Sequence, residues 1–247
     1  MDRLTTLLTQ FHLSVGSTEV TKANLVVLQD GQGVAVRLCY YTKGTVPAHE
    51  VARVLWAGYV DWSGRVNPFL VALPKVATYD LAENPEAQGL VEIICNEAKG
   101  KRCGAQSVVN RLAEVLIVRM LRHQLEHGAT EPGLLAGLAD PRINRAVVAI
   151  HDRPGQSWDN ASLAQEAGLS LSRFSELFSA TVGETPMGYL RRWRLILAQQ
   201  DLQRGARVDA VARRYAYASG EAFSRAFRRA YGVSPMAVRK GETVASV

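Results

Sequence analysis

The stretch EAFSRAFRRAYGVSPM, residues 221–236, has a counterpart earlier in the chain, SRFSELFSATVGETPM, residues 172–187. Aligned over residues 161–187 and 210–236, the two agree at Ala161/Ala210, Ala167/Ala216, Ser170/Ser219, Phe174/Phe223, Ser175/Ser224, Phe178/Phe227, Gly183/Gly232, Pro186/Pro235 and Met187/Met236. These are the positions a short capped helix needs. Ser170 and Ser219 stand where a hydroxyl accepts from the free amides of a first turn. Phe174/Phe178 and Phe223/Phe227 are i, i+4 pairs that share one helix face. Gly183 and Gly232 end the helices, because glycine reaches the left-handed conformation without a Cβ penalty, and Pro186 and Pro235 each start the next segment. Before the first cap, Ala164 allows close helix contact and Gly168 a sharp turn, so each unit reads as helix, turn, helix.

Between the units, residues 186–203, PMGYLRRWRLILAQQDLQ, are expected to form one helix. At 1.5 Å per residue it is about 25 Å long. Two readers on such a rod suit successive major-groove faces on one side of a duplex, which recur about every 34 Å. Charge agrees with a polyanionic partner. Of the net +6, residues 1–151 supply +1 (15 basic, 14 acidic) and residues 152–247 supply +5 (14 basic, 9 acidic). Within the latter, residues 186–240 hold 12 basic and 3 acidic side chains, whereas residues 152–185 hold 2 and 5. A compact basic zone beside a duplicated reader attracts nucleic acid.

The front of the chain has a different texture. NLVVLQ and VAVRLCYY flank DGQG and read as a hairpin. HEVARVLWAGYVDW and NPFLVALPKVATYDL, broken by Gly58, Gly64, Pro68 and Pro74, read as short strands and turns. From Glu86 to Lys99 and from Gln106 to Glu126 the apolar period becomes helical, giving a helical hairpin whose second arm carries Val108, Leu112, Val115, Val118 and Leu125 near one stripe. The Gly- and Pro-rich segment 127–141 suits a linker. The expected class is α+β: residues 1–138 as a β-rich regulatory and dimerisation domain with a helical hairpin, then residues 139–247 as an all-α reader. Its helix-turn-helix units fall near 161–183 and 210–232, with the connecting helix near 186–203.

Residues from about 142 to 240 resemble the DNA-binding domain of the AraC/XylS transcription regulators, built from two helix-turn-helix units joined by a long helix. The resemblance rests most on AYASGEAFSRAFRRAYGVSPMAVR, 216–239, and on GETPMGYLRRWRLILAQQDL, 183–202, with Arg194 and Ala198 in the expected places. More faintly, WAGYVDWSGRVNPFLVALPKV and the helices through RLAEVLIVRMLR resemble the rear half of a cupin-like sensing domain. The early strand block and a Pro-Gly-His type motif are missing, which implies a shortened barrel.

Candidate base readers at the entering end of the second recognition helix are Gly220, Glu221, Ser224 and Arg225. Arg225 suits a bidentate contact with guanine O6 and N7. In the first unit Leu171, Ser172, Ser175 and Glu176 correspond, with Arg173 as the nearby cation; Glu176 stands where the family often has Arg and could accept from cytosine N4. Arg191, Arg192, Arg194, Arg228, Arg229, Arg239 and Lys240 are candidate phosphate clamps or structural ion pairs. Trp193, Leu197 and the four Phe are assigned to the core.

Other classes find less support. His123 and His127 in HQLEH lie i, i+4, but the general-base Glu of HExxH is not in its place and no third ligand is identified. No Gly-rich phosphate loop appears, and no nucleophile stands beside a recognisable base. Cys39, Cys95 and Cys103 are an odd number without a CxxC, so neither a disulfide framework nor a zinc site is spelled out. The apolar runs are too short to span a bilayer. The expectation is a cytoplasmic regulator without metal or cofactor that binds double-stranded DNA as a homodimer, with RNA polymerase and a small-molecule effector as further partners. A dimeric adaptor with a vestigial reader and a cupin-type metalloenzyme are the alternatives.

Overall fold

The computed structural model describes residues 13–42, 44–62, 73–100, 102–127 and 132–241. Residues 67–72 of the NPFLVALPKV stretch, with Gly64 and Pro68, and residues 128–131 of the expected linker lie outside that range. The described residues fall into two compact units, those up to 127 and those from 132 onward.

The first unit is an antiparallel sheet of β1 (Leu13–Ser17), β2 (Leu25–Gln29), β3 (Ala35–Tyr41), β4 (Val54–Trp62) and β5 (Val76–Asp80), in the order β1-β4-β2-β3-β5. β2 and β3 are the hairpin expected around DGQG; Asp30 holds the turn by accepting from the amides of Gln32 and Val34 at 2.8 and 2.9 Å. Central strands buried on both faces need apolar residues at successive positions, and β2 reads Leu25, Val26, Val27, Leu28, all at most 2% exposed. One face gathers Val26, Leu28, Cys39, Tyr41 and Ala57 with Ala23 and Val46. Asn24 extends the ladder with its side-chain amide, donating to the Val60 carbonyl and accepting from the Val60 amide. Gly58 leaves room for the Trp56 ring, which would meet a Cβ there at 2.4 Å. Burial pushes the Cys39 thiol up to about 11, and Cys95 is raised for the same reason, so both behave as small apolar core residues.

The helical hairpin is α1 (Pro85–Gly100) and α2 (Ala105–His127), with α2 packed on β1 and β5. The buried face of α2 is not the expected stripe. Val109, Ala113, Leu116, Ile117, Met120, Leu121, Gln124 and Leu125 face the core; Val108 and Val115 stay 41% and 46% exposed. Of the stripe read from the sequence, only Leu125 is buried. The helix is apolar on two sides, and periodicity alone does not say which side meets the sheet.

The second unit is all helical: α3 (Leu134–Ala139), α4 (Ile143–Asp152), α5 (Asn160–Ala167), α6 (Leu171–Val182), α7 (Pro186–Gln203), α8 (Val208–Arg214), α9 (Gly220–Tyr231) and α10 (Pro235–Arg239). The α+β class therefore holds. α3 buries Leu134, Leu135 and Leu138 and packs on α4 and α6, so a DNA-binding fragment begun at residue 139 would lose this helix.

His151, on α4, is fully buried. Its ring stacks on Trp193 at 3.8 Å between centroids, and its Nε2 shares a hydrogen bond with the Tyr189 hydroxyl at 2.5 Å. Burial, helped by the Arg192 charge, lowers its pKa from 6.5 to about 3, so the folded state holds it neutral. Its proton is bound only by the unfolded chain once the pH drops below about 6.5, so stability falls with falling pH across the window from there to about 3. The slope is about 1.4 kcal/mol per unit. Urea unfolding at pH 7.5 and 5.0 should differ by about 2 kcal/mol from this residue alone. His151→Phe should remove that part of the difference; an unchanged pH dependence in the variant would refute the assignment.

Candidate nucleic-acid interface

Two units of one design flank α7. In the first, Asp159 caps α5 through a capping box with Ser162, Gly168 turns the chain at φ 69°, and α6 runs to Gly183 at φ 83°. In the second, Ser219 caps α9 by accepting from the Ala222 amide at 3.1 Å, and Gly232 ends it at φ 74°. Thr185 and Ser234 cap α7 and α10, each followed by the expected proline. One detail differs from expectation, and the second turn is built differently from the first. Ser170 occupies the N-cap of α6 with extended backbone, but its hydroxyl caps no backbone amide. The second turn has no glycine: Ala216 takes φ 56°, one position ahead of the residue aligned with Gly168. Inside the units, Phe174 packs on Phe178 and Phe223 on Phe227, each pair 5.5 Å between centroids, and Trp193 and Leu197 are buried.

On α6, Leu171, Ser172, Arg173 and Glu176 are exposed, while Ser175 is half-buried and donates to the Leu171 carbonyl at 3.0 Å. Arg173 Nη1 donates to Glu176 Oε2 at 3.0 Å, so the lone cation of this helix is paired with the carboxylate three residues on. On α9, Glu221 and Arg225 are exposed and Ser224 half-buried. Gly220 is packed against Asp209, whose Oδ1 would meet a Cβ there at 2.6 Å, so its absent side chain serves the approach of α8. Ser224, Arg225, Arg228 and Arg229 line one shallow recess of about 350 Å³.

The remaining arginines divide by what they touch. Arg191, Arg239 and Lys240 are exposed. Arg192 is half-buried, donates through Nε to Glu184 at 2.9 Å and lies 5.1 Å over the Tyr189 ring. Arg194 donates Nε to the Pro154 carbonyl and Nη2 to the Gln156 carbonyl, both at 2.7 Å. That geometry uses its planar fork inside the protein. Among these candidates the cations that are exposed and bonded to no protein group here lie on α7 (Arg191), on α9 (Arg225, Arg228, Arg229) and at the end of α10 (Arg239, Lys240), while α6 presents a neutral pair.

The histidine pair is a stack: the His123 and His127 ring centroids lie 4.6 Å apart at 28°, and the Tyr79 ring meets His123 edge-on with 5.2 Å between centroids. Among the described residues no group of three or more His, Cys, Asp or Glu could hold a metal ion, and no helix is long and apolar enough to cross a membrane.

Comparison with known proteins agrees with this division. Residues 163–241 match a helix-turn-helix domain family and residues 5–126 a cupin family. A putative AraC-like transcription regulator of Streptomyces lividans is 36% identical over 168 residues, covering 66% of this chain and 55% of that protein. One from Streptomyces antibioticus is 41% identical over 135 residues, 54% of this chain and 45% of that protein. The chain spans about half the length of the curated relatives it matches. Among solved structures, the DNA-binding domain of AdpA, in complex with a target DNA, aligns with 41% of this chain and 91% of that one, at 31% identity and a TM-score of 0.38.

Proposed function

Because the chain carries an AraC-type helix-turn-helix domain behind a cupin-like domain, we propose that it is a cytoplasmic, non-enzymatic transcription regulator that binds double-stranded DNA in two successive major grooves. The observation that carries this reading is the pair of helices α6 and α9 on either side of α7, each ended by a left-handed glycine, with Arg225, Arg228 and Arg229 on one exposed face. Arg225 reads a guanine edge; Ser172, Ser175, Glu221 and Ser224 supplement it, and Glu176 is a cytosine reader or a holder of Arg173. Arg191, Arg228, Arg229, Arg239 and Lys240 contact phosphates and set the register. Arg192 and Arg194 support the fold. The cupin-like unit senses a small molecule, and the bound regulator works through RNA polymerase. The test is a genome-wide binding profile of the purified full-length protein on fragmented DNA. A recurring motif of two elements about one helical turn apart is expected, and uniform recovery of all fragments would refute the reading.

Homodimerisation belongs to the same proposal. The outer side of α2 exposes Val108 and Val115, with Val118 half-buried among Arg111, Glu114, Arg119 and Arg122 around a recess of about 470 Å³. An apolar strip framed by charges supports pairing with a second copy. Sedimentation of the full chain at micromolar concentration should give a dimer, and Val115→Arg a monomer. A monomeric parent under those conditions would remove this part.

A further inference from the structure

We infer that Arg194 and Gly155 form a joint that fixes the distance and angle between the two readers, and that they are positioning residues for two-groove binding rather than DNA contacts. The inference deepens the proposed function and rests on its two-groove reading. The turn between α4 and α5, residues 153–158, belongs to the first reader, yet it is gripped from elsewhere. From α7, the Arg194 guanidinium spans the carbonyls of Pro154 and Gln156, both at 2.7 Å. From the second reader, the carbonyl of Arg214 at the end of α8 approaches Gly155 so closely that a Cβ would stand 2.2 Å from it. An oxygen at that distance is backbone and cannot rotate aside.

The turn itself is stiff. Trp158 Nε1 donates to the Arg153 carbonyl at 2.9 Å, the Arg153 guanidinium lies 4.8 Å over the Trp158 ring, and Arg153 pairs with Glu166 of α5 at 2.7 Å. The far side is tied as well, since Arg214 and the Tyr215 hydroxyl both reach Asp201 of α7, at 2.7 and 2.8 Å. Three elements therefore meet at one backbone turn: the first reader supplies it, α7 clamps it by charge-assisted hydrogen bonds, and the second reader abuts it. None of these residues is on α6 or α9. A bidentate guanidinium bound to two carbonyls resists rotation in a way a point charge does not, so Lys cannot replace Arg194. Rigid phasing matters because one inserted base pair moves the next groove by about 3.4 Å and rotates it by roughly a tenth of a turn.

The experiment uses the full chain with Cys103→Ser and spin labels at Ala180→Cys on α6 and Arg229→Cys on α9, without DNA. Cys39 and Cys95 are buried. The parent should give a narrow distance distribution, and Arg194→Lys, Arg194→Ala and Gly155→Ala broader or displaced ones at unchanged helical circular dichroism. Distributions identical to the parent's overturn the joint. Without the labels, affinity is then measured on the best site and on that site with one base pair inserted between its two elements. The parent should lose about tenfold or more on insertion, since the second contact acts at high effective concentration only when geometry permits. The variants should bind the uninterrupted site more weakly and lose less on insertion. Variants as sensitive to insertion as the parent overturn the positioning role while the two-groove reading stands. A parent indifferent to the inserted base pair overturns the two-groove reading, and the joint's DNA role with it, leaving the spin-label result to speak for the joint alone.

Discussion

Raising monovalent salt from about 50 to about 200 mM should weaken the duplex complex roughly a thousandfold. The proposed contact face offers six exposed cations, Arg191, Arg225, Arg228, Arg229, Arg239 and Lys240. Each cation brought against the duplex, five on phosphates and Arg225 on a base edge, displaces close to one condensed counterion, so six give a slope of about −5 in log K against log salt, and a fourfold rise in salt compounds that to about three decades. Arg173, Arg192 and Arg194 are left out because they already bond to Glu176, Glu184 and two backbone carbonyls. The slope is measured by fluorescence anisotropy on a fixed duplex. A value near zero would refute the phosphate face, and one near −8 would mean that the three internally bonded arginines let go of their partners on binding.

Arg225→Ala should cost about 1 to 3 kcal/mol on the best site and relax preference at one base pair, because a bidentate pairing with guanine is lost. The same substitution should reduce the salt slope by at most about one unit, and the relaxed preference at one base pair separates base reading from general attraction. Glu176 is the informative partner experiment. It is exposed and bonded to Arg173, so Glu176→Gln frees a cation on a helix that otherwise presents none. If Glu176 only holds Arg173, the variant binds all sequences more tightly and steepens the slope by about one unit. If Glu176 reads cytosine, preference at one base pair is lost and the slope hardly moves. Arg225→Ala with unchanged affinity and preference would remove α9 from the reading altogether.

The duplicated reader was legible because its signals are local. A cap, an i, i+4 phenylalanine pair, a left-handed glycine and a proline lie within about four turns, and Phe174, Phe178, Phe223 and Phe227 are all fully buried as that pattern required. Two kinds of residue escaped. The first kind depends on contacts distant in sequence: Arg194 is committed by carbonyls 38 and 40 positions away, Gly155 by a carbonyl 59 positions away (214 minus 155), and nothing beside either residue announces the partner. The second kind is decided by competition between equal local signals. On α2, Val108, Leu112 and Val115 repeat as well as Val109, Ala113 and Leu116; only the sheet chooses between them. Ala216 shows the same limit in the backbone, since no glycine marks its left-handed turn.

The two proposed recognition helices are each twelve residues long and bury the fourth, eighth and twelfth: Phe174, Phe178 and Val182 in α6, Phe223, Phe227 and Tyr231 in α9. The residues that hold each helix in place and those left exposed for the proposed DNA contacts occupy different positions, so the proposed recognition can diverge while the fold stays still. That makes each helix a cassette. Writing the exposed residues of α9 onto α6 would turn an unequal pair of readers into a direct repeat, provided residue 182 stays valine, because its Cγ2 already lies 2.8 Å from where a Cβ on Gly137 would stand and a tyrosine has no room there. A gene that doubled one reader and then changed only outward-facing codons could acquire a two-part address in small steps, each leaving a folded protein behind.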